Sequence, residues 1–173
     1  AQAEHDSDAQ AILVTTSEKL VEQIQGEIQK QVASLPRRAI AEKSLENSRI
    51  VVVNDMTTAI EVINRYAPEH LILHNGDAVR WLPEIRHAGS VFLGAYTPES
   101  AGDYASGTNH VLPTYGYARA YSGITVLSFM KSMTVQSLSA EGLKRLGPTI
   151  ITMAEAEGLK AHANAVSIRL GAV

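Results

Sequence analysis

Glu69 and His70 stand side by side, between Pro68 and the apolar run Leu71-Ile72-Leu73. A carboxylate next to an imidazole can supply a base and an acid to one substrate. The same pair also fits a helix-to-strand turn solvated by two polar side chains. Gln2 and His5 are three residues apart, a spacing that puts both side chains on one face of a helix. They can grip one metal ion, or they are a polar helix end facing water. The densest polar stretch is Gly102-Asp103-Tyr104-Ala105-Ser106-Gly107-Thr108-Asn109-His110. Here Asp103 offers a metal-ligating carboxylate and His110 a hydrogen bond to substrate, while the glycines let backbone approach a ligand closely. The competing reading is an Asx-type turn with solvated tips. Glu157 and His162 lie in a charged helical stretch near the C-terminus, and spacing alone leaves His162 a bystander. His74 and His87 have no chemically useful neighbours in sequence and read as surface or partly packed residues.

These residues need elements to hold them. The run AILVT at 11–15 reads as a strand, and Ser17 caps a helix whose Leu20, Ile24, Ile28 and Val32 recur every four residues. A second helix covers about 38–46, and RIVVV at 49–53 reads as a buried strand followed by Asp55 as a helix N-cap. That helix stops before Pro68. A short strand at 71–73, a helix at 78–85 and a strand at 90–93 complete the alternation. Strand and helix taking turns is the signature of a parallel sheet covered by helices, with ligands expected at the carboxyl ends of the strands. From 97 to 123 the pattern dissolves into an irregular segment with four glycines and two prolines, a length that usually serves function. Helical periodicity returns at 139–158, and after a break at Gly158 the segment 159–170 continues helical or extended. The expected fold is α/β: a parallel-type sheet flanked by helices, an incomplete Rossmann-like domain, then a small helical C-terminal tail. The domain boundary is expected between residues 1–122 and 123–173.

Composition narrows the chemistry. The chain has no cysteine, so disulfides, thiolate metal sites and a cysteine nucleophile are excluded, and any transition-metal site must use His, carboxylate, amide or water oxygen. Fifteen basic and 18 acidic residues give a net charge of −3, which supplies no broad basic surface for nucleic acid. No apolar run approaches the length of a membrane span. The opening Ala1-Gln2-Ala3-Glu4-His5-Asp6 is polar, unlike a secretory signal, and reads like a helix end cut from a longer chain. A cytoplasmic location is expected. No two glycines are separated by a single residue, so no G-x-G-x-x-G dinucleotide loop is present, and the sequence holds no G-x-S-x-G nucleophile elbow either.

Several strings carry a family likeness. Ala67-Pro68-Glu69-His70-Leu71, then Gly89-Ser90-Val91-Phe92-Leu93-Gly94, then the long segment from Thr97-Pro98-Glu99-Ser100-Ala101 through Asp103 and His110 to Thr114, resemble histidinol dehydrogenase. So do the opening Gln2-Ala3-Glu4-His5 and the closing Ala161-His162-Ala163-Asn164-Ala165-Val166-Ser167-Ile168-Arg169-Leu170. The likeness runs in order over essentially the whole chain.

The resemblance implies oxidation of L-histidinol to L-histidine through an aldehyde, in two NAD-dependent hydride transfers, as a step of histidine biosynthesis. It implies Zn2+ held by Gln2, His5, Asp103 and His162, an acid–base pair Glu69-His70, and substrate contacts from His110 and Glu157 together with His70 and the zinc residues. It implies a homodimer with shared active sites, in which Glu157 and His162 complete the neighbour's site. In this scheme zinc works as a template that orients substrate, His70 takes the hydroxyl proton, and Glu69 activates water to attack the aldehyde. Family chains are more than twice as long, and the part without a counterpart here carries most of the NAD site. The chain alone is therefore expected to bind zinc and histidinol with little or no turnover. Two other readings stand beside this one. One is a zinc hydrolase, against which stands the lack of an H-E-x-x-H spacing. The other is a non-catalytic truncated homologue that binds zinc or dimerises.

Overall fold

A computed structural model describes residues 1–171; the last two residues of the expected tail, Ala172 and Val173, lie outside the described residues. The chain divides into two compact units at Phe129 and Met130, where the sequence pattern places the boundary at 122 and 123.

The first unit opens with α1 (Gln2–His5), β1 (Ile12–Thr15), α2 (Glu18–Val32), α3 (Arg38–Asn47) and β2 (Arg49–Val52). It continues through α4 (Met56–Tyr66), β3 (His70–Leu73), α5 (Ala78–Trp81), β4 (Ser90–Leu93) and α6 (Glu99–Tyr104). The strands are parallel, as the alternation requires, but they form two separate pairs, β1 with β2 and β3 with β4, rather than one sheet of four. Helices bridge each pair, so each is a βαβ unit. The helix starts are those the side chains dictate. Ser17 Oγ accepts the Leu20 N–H at 3.3 Å, and an Asp55 carboxylate oxygen accepts the Thr58 N–H at 2.7 Å. Each satisfies one of the orphan donors of a helix N-terminus. The helix expected at 78–85 is shorter, because from Leu82 to Glu84 the chain tightens into a 3-10 turn around Pro83. The strand β2 is less buried than its run of valines suggests, with Arg49 and Val52 exposed.

The pair β3–β4 holds the core that matters for chemistry. Leu71 and Leu73 point to one face and join Ala78, Ile63, Ile85, Ala88, Val91 and Leu93 in an apolar cluster. His70 and Ile72 therefore face the other way, beside their register partners Ser90 and Phe92. This alternation puts a histidine next to a buried phenylalanine on the face opposite the aliphatic core.

The second unit is a helical hairpin, α7 (Ala140–Ala156) and α8 (Lys160–Arg169), turned at Gly158 with φ +74°. Ser139 Oγ caps α7 by accepting the Gly142 N–H at 3.0 Å. Gly147 lets the helices close, since a Cβ there would stand 2.7 Å from Leu170. Among the described residues no helix is long and apolar enough to cross a membrane.

Candidate active site

Three local features aim Glu69 and His70. Helix α4 ends at Ala67 in the left-handed conformation (φ 55°), and its N–H closes on the Ile63 carbonyl at 2.8 Å. Such a cap turns the chain sharply out of the helix axis, at a cost of about 1 kcal/mol for a residue with a Cβ. Pro68 then forbids further helix. Finally the Ser90 N–H donates to the Glu69 carbonyl at 2.8 Å and the Gly89 N–H to the Pro68 carbonyl at 2.9 Å, locking the pair to the start of β4. Gly89 is required there, because a Cβ would stand 2.6 Å from the Glu69 carbonyl oxygen.

His70 is thus the first residue of β3, at the amino end of the strand rather than the carboxyl end where ligands were expected. The chain reaches it by folding back. After β4, Gly94 takes φ +80°, and the Thr97 hydroxyl donates to the Leu93 carbonyl at 2.7 Å. Helix α6 then runs over the exposed face of the pair. Gly102 is the contact point: a Cβ would lie 2.8 and 2.9 Å from atoms of the Phe92 ring. Phe92 in turn lies against His70, with ring centroids 5.9 Å apart.

This stacking brings Asp103 to His70, with a carboxylate oxygen 3.8 Å from Nε2. Glu99, one helical turn earlier on α6, joins them. One ligating atom from each of His70, Glu99 and Asp103 lies within 4.8 Å of the others, and among the described residues they are the group of at least three His and acidic side chains so gathered. Both ring nitrogens of His70 are buried and have no hydrogen-bond partner among the described residues. A buried unpaired ring nitrogen costs about 1–3 kcal/mol, so this is a site that asks for a further group.

Glu69 stands at the rim of the same cluster. Burial pushes its carboxyl above the usual carboxylate range, and the negative charges of Glu99 and Asp103 push the same way. His70 and, more weakly, His5 pull it back down. Helix α1 carries Gln2 and His5 as the spacing predicts, and Arg37 Nη2 donates to the His5 carbonyl at 3.3 Å, fastening it to the rest of the unit.

His110 lies apart from this cluster. It lines, with Thr108 and Asn109, a wide-mouthed depression of about 690 Å3 that also touches Ser90, the register neighbour of His70. The Thr108 hydroxyl donates to the Gly102 carbonyl at 3.2 Å and so ties this loop to α6. Glu157 and His162 belong to the second unit. Glu157 is the C-cap of α7, His162 sits in the first turn of α8, and both are exposed on the hairpin. The first unit thus brings together Glu69, His70, Glu99 and Asp103 around one carboxylate-rich corner, while Glu157 and His162 share the turn of the hairpin.

Glu99 is the residue that sequence reasoning passed over. The stretch around it reads as irregular because of Pro98, Gly102 and Gly107, yet residues 99–104 form a helix. The usable signal was the Glu99–Asp103 interval, four residues, which places both carboxylates on one helical face.

A family model described as histidinol dehydrogenase matches residues 1–170. A histidinol dehydrogenase of Vibrio vulnificus (strain YJ016) is 55% identical over 169 residues, covering 98% of this chain and 39% of the relative. The chloroplastic histidinol dehydrogenase of Arabidopsis thaliana is 57% identical over 170 residues, covering 98% of this chain and 36% of the relative. A crystal structure of histidinol dehydrogenase from Elizabethkingia anophelis superposes with a TM-score of 0.95 at 49% identity, covering 98% of this chain and 39% of that one. The chain therefore spans about two fifths of the length of these relatives.

Proposed function

The chain belongs to the histidinol dehydrogenase family, and from that premise we propose that it carries the acid–base pair, the zinc ligands and substrate contacts of an enzyme that oxidises L-histidinol to L-histidine with NAD. The observation that carries the reading is the corner where Asp103 and Glu99 approach His70 beside Glu69, with both His70 nitrogens left unpartnered.

The residues fit zinc. The implied donors are the Gln2 amide oxygen, the His5 and His162 imidazoles and the Asp103 carboxylate, all nitrogen or oxygen ligands that zinc accepts. In support, Asp103 stands 3.8 Å from His70, so one of the four donors lies beside the proposed base. When bound, the metal supplies a positive template that orients an imidazole and an amine. His70 takes the substrate hydroxyl proton: its ring is dry, held against Phe92, and free of competing hydrogen bonds. Glu69, whose burial raises its proton affinity, is suited to deprotonate water near neutral pH more effectively than an ordinary exposed carboxylate. His110 and Glu157 would hold the remaining polar groups of the substrate.

The tail is proposed as a dimerisation segment, with Glu157 and His162 completing a neighbour's site in a homodimer. Support comes from the stretch Ile124, Val126, Leu127, Phe129, Met130, Met133, Val135 and Leu138, whose side chains are all exposed. A ribbon of chain that exposes so many apolar side chains is covered in a working protein, usually by another chain.

Two assays test the proposal. The chain alone should bind zinc and L-histidinol in calorimetry, with zinc lost in His5→Ala and Asp103→Asn, and should form no NADH. A chimera in which this chain replaces the matching segment of the V. vulnificus relative should form NADH from L-histidinol. Zinc content unaffected by either substitution, together with an inactive but folded chimera, would leave only a scaffold.

A further inference from the structure

Resting on the reading of Glu69-His70 as the acid–base pair, we infer that Glu99 is a positioning residue whose carboxylate accepts an N–H from His70, fixing the imidazole's tautomer and leaving its other nitrogen free for substrate. Four observations lead there. Both His70 nitrogens are buried without a partner, and a neutral imidazole always carries one N–H that must find an acceptor. The carboxylates gathered with that ring are Glu99 and Asp103. Asp103 approaches Nε2 to 3.8 Å, but as a ligand of the metal it is committed elsewhere. Glu99 remains.

The mechanical linkage favours it. Glu99 and Asp103 lie on one short helix, and Gly102 between them sets the height of that helix on Phe92. Phe92 also touches His70. One ring therefore gauges both the imidazole and the carboxylates above it, so a settling of α6 toward the strand pair closes the Glu99–His70 contact. Catalytic hydrogen bonds commonly shorten in this way only when the site fills. The logic is that of any imidazole base oriented by a carboxylate on its far nitrogen. It assigns the two acids of α6 different tasks: Asp103 serves the metal and Glu99 serves the base.

The test uses the chain with 15N-labelled histidine and the V. vulnificus chimera, each as wild type, Glu99→Gln and Glu99→Ala. In zinc-loaded chain, the wild-type His70 ring nitrogens should show one fixed tautomer, largely kept in Glu99→Gln and averaged in Glu99→Ala. Zinc stoichiometry should be the same in all three. In the chimera, Glu99→Ala should lower kcat by about 10- to 100-fold with KM changed less than about threefold, and Glu99→Gln should recover much of the loss. Loss of zinc in Glu99→Ala or Glu99→Gln would overturn the inference by making Glu99 a ligand, and an unchanged His70 signature in Glu99→Ala would overturn it directly. An inactive wild-type chimera with the expected tautomer change would instead count against the dehydrogenase reading and leave the Glu99–His70 pairing standing.

Discussion

The face of β3–β4 under α6 and the ribbon from Ile124 to Leu138 are both apolar in sequence, and they are treated in opposite ways. On the first, Phe92 is only 5% exposed and every neighbour is fixed by it: His70 beside it, Gly102 above it, Glu99 and Asp103 flanking that glycine. On the second, Phe129 is 82% exposed and Val135 83%. A phenylalanine in one place sets the positions of candidate site residues, and in the other it is left exposed among the described residues. The candidate residues divide the same way. Those around Phe92 are positioned by their own fold, whereas Glu157 and His162 sit on an exposed turn and, in the proposed function, act with another surface.

The comparison is broken most forcefully at Phe92. Phe92→Ala should cost about 3 kcal/mol or more in urea unfolding, because it empties a packed position between strand and helix. Equal stability with wild type would remove Phe92 as the gauge of the site. Gly102→Ala should cost about 1–3 kcal/mol, since the added methyl group starts inside contact distance of a ring that cannot leave. It should also weaken zinc binding through the shift of Asp103, which calorimetry would register.

Glu69→Gln probes the electrostatics of the same corner in metal-free chain. Burial raises the folded-state proton affinity of Glu69 above its unfolded value, so the folded form binds more protons and stability falls as pH rises through the two values. The amide variant should thus be the more stable one at pH 7, by less than about 1 kcal/mol because the side chain is partly solvated. The difference should vanish well below pH 4.5, the ordinary value for this carboxyl. A gap that persists in acid would mean that the charge is not its origin. The smallest effect belongs to the ribbon. Phe129→Ser with Val135→Ser should change the stability of dilute chain by less than about 0.5 kcal/mol, yet reduce self-association in sedimentation.

Much of the fold was legible because local rules and packing agree. Ser17, Asp55 and Ser139 cap helices where their side chains say they should, and Ser90–Leu93 forms a strand with the bounds the pattern gives. The place of Glu69 and His70 at the turn into a strand was legible through Pro68 and the adjoining apolar run. Helix α6 was hidden because Gly102, read as a breaker, is there to let backbone approach Phe92, a tertiary reason that no local pattern encodes. Glu99 was hidden with it. The partial exposure of β2 was equally unreadable, since a run of valines says that strand is preferred but not what covers it.

The most direct test is a crystal structure of the zinc-loaded chain with L-histidinol. The account predicts one zinc ion bound by Gln2, His5 and Asp103 together with His162 of a second copy, with His70 in reach of the substrate hydroxyl. Zinc held without His5 or Asp103, or a His162 imidazole distant from Asp103 in every copy, would contradict it.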